Sequence, residues 1–510
     1  MDPASLALAV VGTLDLCVTY GKKLINLCRE QRNLESDLAE IILAIEGSLL
    51  KTETQLASLR ALWDTIPSTL QEHYGDALTI LQLRITGAFE NVQYTVKFIH
   101  NATHLHQKVR AVYLKRRLNR VVTDLDDWKR RFDPSWYLIT RVASSDIDAA
   151  LNSKSPKDPS TMRLARMREA VNQAKSNGAP HQNSIFVSDA LFKRERAPIA
   201  GTSRTSITSY RHGTQLVLLD RTDYTAKMPR VMGKTNVCDL AKLLLHVEPA
   251  TFSLLKCEGV IEVPGETGTQ FDFVFNIPKG LSSPHTLRSL LLEGSRCSLS
   301  KRFQLAKQLA RSVMFVHATN FVHKNIRPDT VVVFADETGS IGPSFLIGFE
   351  RIRKADGPTE SVGDLEWEKN LYRHPVRQGL VPEEFFLMQH DIYSLGVCLL
   401  EVALWHSFVQ INGGVSVPSS ELPISDALED KDRRRGAFAI KRQLVAIAKD
   451  QLPQLVGDTY TALVTACLCC LDKSDDNTLG DQRDLMDANG IGIGVRYIEN
   501  ILGKIEDLCA

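Results

Sequence analysis

The chain has 510 residues, of which 44% are apolar and 24% charged, with a formal net charge of +1. This is too long for one ordinary domain, and its balance is that of a folded globular protein, which excludes a disordered chain. A charge so near zero gives no global field for nucleic acid or acidic substrates, so no nucleic-acid partner is expected.

Ala4–Cys28 is apolar and helical in pattern, and Asp15 is its only charge before Lys22. Leu6, Leu8, Val10, Val11, Leu14 and Leu16 bring it close to bilayer-spanning length. Asp15 would cost about 2.5–3.5 kcal/mol at mid-membrane. The segment therefore has two readings, a core helix of a bundle or a helix that can be released into a membrane. Asn33 is a candidate N-cap before a helix over 34–62 that places Leu38, Ile41, Ile42 and Ile45 on one face. Pro67 opens the next piece, and helical periodicity runs over 77–100 and again over 104–132. The last of these carries Lys108, Arg110, Lys115, Arg116, Arg117 and Arg120, a solvated face or a surface for anionic lipid. Residues 1–140 thus read as an all-α helical bundle.

Composition changes over 141–207, where SKSPKDPS and KRERAPIAGTSRTS offer little for a core. This stretch reads as a basic Ser/Pro-containing linker, partly helical around 162–175. Strand patterns start at Gln215 and recur over 253–263 and 271–277, with a helix over 237–246 between them and a turn at Pro264-Gly265. Helices then dominate, at 287–292, at 299–319 and beyond Asp391. Strands followed by helices across a polar hinge at Pro278-Lys279-Gly280 give an α+β region of two lobes, small over 208–279 and large over 280–510.

Four motifs carry the chemistry of that region. Phe321–Val333 contains His323, Lys324, Asn325, Ile326, Arg327, Pro328, Asp329 and Thr330 between a helix and a β-branched strand. The strand-like Ser344–Ile347 leads into Gly348, Phe349 and Glu350; Tyr372, Arg373, His374 and Pro375 follow; and Asp391-Ile-Tyr-Ser-Leu-Gly396 opens an apolar helix. In this order they resemble the catalytic loop, the Asp-Phe-Gly motif, the Ala-Pro-Glu element and the buried central helix of protein kinases. The resemblance covers 208–510 and implies a two-lobed protein-kinase-like fold.

It also shows what has changed. Phosphoryl transfer needs a carboxylate to orient and deprotonate the attacking hydroxyl, and ligands for Mg²⁺. Asn325 stands in place of the base, Gly348 in place of the metal-binding Asp and Thr330 in place of the Asn ligand. An amide does not take a proton at neutral pH, and glycine offers nothing to a metal. No G-x-G-x-x-G precedes the first strands, and the strand holding the usual lysine offers Asp220 and Arg221; the helix after it offers Asp239 and no glutamate. Gly490-x-Gly492-x-Gly494 has the wrong spacing and reads as a loop. Val376 stands where the third motif has its glutamate, which puts that residue's ion pair in question.

A pseudokinase is therefore expected, with no catalytic residue at Asn325, Thr330 or Gly348. The structural positions His323, Pro328, Phe349, Asp391 and Gly396 are kept. No cofactor is assigned, though ATP without Mg²⁺ or with weak Mg²⁺ stays open, with Arg221, Arg327 and Thr330 as weak binding candidates. An active serine/threonine kinase and a non-toxic scaffold are the alternatives. Residues 351–370, with Thr359, Ser361, Asp364, Glu366 and Glu368, correspond to the activation loop.

The opening sequence DPASLALAVVGTLDLCVTYGKKL followed by long helices resembles the fungal HeLo or HeLo-like domain of HET-S type incompatibility proteins. That resemblance implies programmed cell death or heterokaryon incompatibility, with prion-inhibition and propagation chemistry. It also implies self-association and inducible membrane binding through residues 1–28. Protein partners are expected through the kinase-like region. Ten scattered cysteines and a start without a basic segment or cleavage site point to reduced thiols and a cytoplasmic protein, membrane-associated on activation. Cys467 and Cys470 form a C-x-x-C without a second pair and read as a buried helix face, and the acidic run 472–480 lacks the ligand register of a calcium loop.

Overall fold

The computed structural model describes residues 3–30, 36–101, 107–142, 144–152, 159–175, 185–223, 230–264, 269–349, 353–354, 366–379, 386–480 and 490–509. The chain divides into two compact units, Met1–Glu169 and Ala170–Ala510.

The first unit is helical, with α1 (Pro3–Glu30), α2 (Ser36–Leu62), α3 (Ser68–Asn101) and α4 (Gln107–Leu138). α1 and α4 each pack on both α2 and α3. Val10, Leu14, Cys17, Leu24 and Cys28 are buried along α1. Their alternating spacing of three and four puts them on one face, with Gly21 completing the stripe. On α4, Trp128, Phe132 and Trp136 stack at centroid distances of 4.6 and 5.9 Å. Asp133 accepts from Lys51 Nζ at 3.1 Å and Gln55 Nε2 at 3.0 Å, tying α2 to α4.

The span expected to be a linker contains regular structure. α5 (Ser145–Leu151) and α6 (Pro159–Lys175) lie within it. Arg168 of α6 is buried and donates from Nε to Asp148 Oδ1 at 2.7 Å, from Nη1 to the Val142 carbonyl at 2.9 Å and from Nη2 to the Ser144 carbonyl at 3.1 Å. One guanidinium thus ties α6 to the backbone carbonyls of the stretch that joins α4 to α5. Strands also begin before Gln215. Asn33 and Gly265 lie outside the described residues.

The second unit opens with an antiparallel sheet made of β1 (Ala197–Pro198), β2 (Thr205–Ser209), β3 (Leu216–Asp223), β4 (Cys257–Pro264) and β5 (Thr269–Asn276), in the order β1-β2-β3-β5-β4. α7 (Arg230–Leu244) and α8 (Pro249–Phe252) fall between β3 and β4. Phe192 packs with Val217, Leu219, Ile261 and Val274 on one face of this sheet. A second sheet, β6-β8-β9, is formed by β6 (Ser282–Thr286), β8 (Val331–Ala335) and β9 (Ile341–Leu346). α9 (Leu287–Glu293), α10 (Leu299–Ala318) and β7 (Phe321–Val322) lie between β6 and β8, and β10 (Arg353–Lys354) pairs with β7.

Then come α11 (Trp367–Asn370), α12 (Met388–Leu404), the hairpin β11 (Val409–Asn412) and β12 (Val415–Pro418), α13 (Ser425–Leu428) and α14 (Arg433–Leu468). Every residue from Met388 to Ala403 is buried, so α12 is the axis of this lobe, packed on α10 and α14. Gly396 permits that approach, since a Cβ there would lie 2.8 Å from Cys467 Cβ. Gly492 and Gly494, expected in a loop, sit inside the helix Ile491–Tyr497. The C-terminal turn docks through Arg311, whose Nη2 donates to Glu506 Oε2 at 2.7 Å. Cys467 and Cys470 are both buried.

The architecture is therefore an all-α bundle followed by an α+β, two-lobed kinase-like fold.

Candidate functional site

Phe321–Val333 runs from β7 through a short turn, Pro328–Thr330, into β8. The buried Asp391, in the first turn of α12, holds the head of this loop. Asp391 Oδ2 accepts the His323 N–H at 2.7 Å and Oδ1 the Lys324 N–H at 2.9 Å, while His317 Nε2 lies 3.1 Å from Oδ2. Burial alone would raise the pKa of this carboxyl, but these donors outweigh it and hold Asp391 below the usual carboxylate range. They also hold Lys324 in the left-handed region at φ +65°.

The His323 ring is closed on both nitrogens. Nε2 lies 3.0 Å from the Ile347 carbonyl, and Nδ1 accepts the Asn325 N–H at 3.3 Å. Burial pushes this imidazole down to about 4, against the pull of Asp391, so it is neutral at pH 7. Phe349 packs on it at 5.0 Å and reaches Phe273 and Phe275 of β5 at 6.4 and 6.2 Å. Pro328 is buried at the start of its turn.

The three positions that would carry chemistry bind one another. Asn325 Nδ2 donates to the Gly348 carbonyl at 3.3 Å. The Thr330 hydroxyl lies 2.7 Å from the Asn325 carbonyl and 3.0 Å from the Arg327 carbonyl, and it accepts the Arg327 N–H at 3.2 Å. Gly348 has φ +82°, and a Cβ there would stand 2.4 Å from Thr330 Cγ2 and 2.8 Å from Thr330 Cβ. No real Cβ tolerates such a contact. A side chain at 348 would have to displace Thr330 and hold a strained backbone.

Asp220 of β3 completes the closure. Its Oδ2 accepts the Gly348 N–H at 2.9 Å, and its Oδ1 lies 3.3 Å from Thr205 Oγ1 on β2. Burial pushes this carboxyl up to about 6, partly offset by those two donors. The β3 position that faces Gly348 is therefore acidic, the wrong sign for phosphate. Successive strand residues face opposite ways, and Arg221 turns to the other face of the sheet. There it grips the buried Asp272 with Nε at 2.8 Å and Nη2 at 3.1 Å, beside Arg196 at 2.7 Å. Arg221, a candidate for nucleotide binding by sequence, is an ion-pair partner facing away from Gly348.

Arg327 and Asp329, both half-buried, join a charge network whose core at Arg288 and Glu401 is buried. Asp329 lies 3.7 Å from Arg327 Nε and 3.3 Å from Arg288 Nη2. Arg288 of α9 also donates to Tyr372 Oη at 2.7 Å and to Glu401 Oε1 at 3.1 Å, and Tyr372 donates to Glu401 Oε2 at 2.8 Å. Burial would raise the Asp329 pKa, but Arg288 and Arg327 bring it below normal. Sequence reasoning missed this network, since Arg288 and Glu401 stand 113 positions apart. Val376 lies in the short turn Pro375–Arg377, next to the buried His374. His374 Nε2 lies 3.0 Å from Lys441 Nζ, and Lys441 pairs in turn with Asp472. Burial, with Lys441 adding to it, pushes His374 down to about 2; burial and then Arg377 push His390 to about 3.

Along α1, Val10 and Leu14 are buried, Val11 is half-buried and Leu16 is exposed; the Leu6 and Leu8 side chains lie outside the described residues. Residues 355–365, including Thr359, Ser361 and Asp364, are also outside them. Among the described residues no group of three or more His, Cys, Asp or Glu is placed to hold a metal ion. The Mg²⁺ that a kinase-like fold implies does not fit these positions. Asn325 is neutral, the Thr330 hydroxyl is bonded to backbone, Gly348 is closed and Asp220 is engaged.

This is a kinase-like fold in which Asn325, Thr330 and Gly348 make internal contacts with one another and with Asp220. No family model matches the chain. It is similar, at 22% identity over 202 residues, to a probable serine/threonine-protein kinase of Clostridium acetobutylicum. The match covers 40% of this chain and 26% of the bacterial protein, so the chain spans about a quarter of that relative's length.

Proposed function

We propose that the kinase-like region is a pseudokinase that senses or restrains, and that the helical bundle is the element it controls. The carrying observation is the contact between Gly348 and Thr330, which leaves no space for a metal-binding side chain. The acidic Asp220 beside it supports the same reading. A phosphotransfer assay of the full chain with labelled ATP and Mg²⁺ tests it. No transfer is expected from the wild type, and none from Asn325→Asp, because the closed metal position remains.

A second reading, an active serine/threonine kinase with atypical metal use, is favoured by the printed description of the bacterial relative. It requires Mg²⁺-dependent transfer by the wild type that Asn325→Ala abolishes.

For the bundle, the resemblance of residues 1–140 to HeLo-like domains favours an output in cell-death or incompatibility signalling, in the cytoplasm and at membranes. The buried stripe of α1 supports a restrained resting state, since releasing it exposes Val10, Leu14 and Leu24 at roughly 1.5–3 kcal/mol each. Among the described residues no helix is long and apolar enough to cross a membrane. Membrane engagement by α1 is accordingly read as interfacial and oligomeric. Deleting residues 1–21 should abolish toxicity on expression, and undiminished killing by that truncation would sink the idea.

A further inference from the structure

Residues 91–123 hold seven Lys or Arg and no Asp or Glu, in a chain whose formal net charge is only +1. The nearest acids are Glu90 and Asp124. The run takes in the end of α3 and the beginning of α4. These helices lie side by side in opposite directions. Trp128 Nε1 donates to the Ala77 carbonyl at 3.2 Å, Arg84 Nη1 donates to the Asp124 carbonyl at 2.8 Å, and the Phe98 and Tyr113 rings lie 6.4 Å apart. Both halves of the acid-free run therefore meet at one end of the bundle.

That end is apolar as well as cationic. On α4, Val109, Tyr113, Arg116, Arg117 and Arg120 recur at i, i+4, i+7, i+8 and i+11, which is one helix face. On α3, Tyr94, Lys97 and Phe98 share a face at i, i+3 and i+4. All of these side chains are exposed, Tyr94 at 72% and Tyr113 at 55%, and Val112 beside them at 66%. The same helices bury their other faces through Val92, Val96, Ile99, Leu114 and Leu118, so the exposed one is additional to the core. Large apolar side chains exposed side by side mark an interaction surface. Among the described residues no ion pair engages Lys97, Arg116, Arg117 or Arg120.

Charge complementarity selects the partner. Positive charge without acid calls for an anion, and it disfavours a second copy of the chain, whose identical face would repel this one. Nucleic acid is held through phosphates and base edges, and Val109, Val112 and Phe98 offer neither a hydrogen bond. Rings and valines flanked by Lys and Arg instead match a bilayer surface, where aromatic side chains sit at headgroup level and cations meet anionic lipid. We propose that the α3–α4 end of the bundle docks on a bilayer containing anionic phospholipid. Tyr94, Phe98 and Tyr113 enter the headgroup layer, and Lys97, Arg116, Arg117 and Arg120 meet its phosphates. No residue of α1 takes part, so this surface holds or fails independently of whether α1 is released.

Co-sedimentation of the full chain with vesicles tests the proposal, using phosphatidylcholine alone and phosphatidylcholine mixed with phosphatidylserine, with duplex DNA as a competitor. Binding is expected to the mixed vesicles, to weaken as salt rises, and to be slight on the neutral ones. Arg116→Glu with Arg117→Glu should weaken it by about tenfold or more, and Tyr94→Ser with Tyr113→Ser by about fivefold or more. Neither pair should shift the melting temperature, since all four side chains are exposed. Lys431→Glu with Lys473→Glu makes the same change of net charge in the second unit, at two exposed lysines, and should leave binding unchanged. The proposal is overturned if the wild type does not bind the mixed vesicles, or binds neutral ones equally well. It is also overturned if the control pair loses as much as the arginine pair, or if DNA displaces the vesicles. Binding that survives either surface pair would belong to another part of the chain and would overturn it too.

Discussion

At the head of the 321–333 loop, His323 and Lys324 give both backbone N–H groups to one buried carboxylate, Asp391. A few residues on, Asn325, Thr330 and Gly348 bond to one another and to Asp220. In the first group His323 and Asp391 match the kinase residue types, and their contacts answer a demand that any such fold makes, that buried backbone donors be satisfied. The second departs from those types at all three positions, which the proposed pseudokinase reading explains, because only catalysis needs unengaged lone pairs and room for a metal. Structural and chemical demands on one loop are separable, and under the proposed pseudokinase reading only the structural ones are met here.

The largest expected effect sharpens the structural side. His323, His374 and His390 are neutral when folded, pushed to about 4, 2 and 3. Unfolded, each titrates near 6.5. Between that value and its folded one, each ring takes a proton only in the unfolded chain. The stability they contribute is complete above pH 6.5 and falls as pH drops through that window. At pH 5 the loss is about 2 kcal/mol per ring. Hydrogen exchange across α12 should therefore rise steeply between pH 7 and 5; flat protection would break the account of a buried neutral trio.

Next comes Asp391→Ala, which orphans two backbone donors. It should cost about 3–5 kcal/mol in a denaturant melt, the range for breaking a buried charged network. A loss below about 1 kcal/mol would place the loop's support elsewhere.

The smallest effect probes the chemical side. Gly348→Ala forces a Cβ at φ +82° into Thr330 and should cost about 2–3 kcal/mol. Thr330→Ser keeps the hydroxyl and removes Cγ2, so the Gly348→Ala penalty should shrink by about 1 kcal/mol in that background. Equal penalties in both backgrounds would mean that the closure is not made by that methyl.

Much of this was legible in the sequence. Periodicity placed the long helices, and four ordered motifs placed the loop, Phe349 and α12. The strand β2 was not legible, because it buries Thr205, Thr208 and Ser209, and the hydroxyls of Thr205 and Thr208 bond to Asp220 and the Lys193 carbonyl. A polar strand of that kind looks like linker. Neither was the phase of β3. The sequence offered both Asp220 and Arg221 on this strand and made Arg221 the weak binding candidate, whereas the sheet register turns Asp220 toward Gly348 and Arg221 toward Asp272. Arg168 and the Arg288–Glu401 pair carry no pattern at all, since their partners are distant carbonyls and carboxylates.

The central claim is that the kinase-like site is closed to metal-bound nucleotide. Calorimetric titration of the full chain with ATP, with and without Mg²⁺, tests it most directly. The account predicts no Mg²⁺-dependent heat and no saturation attributable to the metal complex. Saturable binding that needs Mg²⁺ and is lost in Asn325→Ala would contradict it.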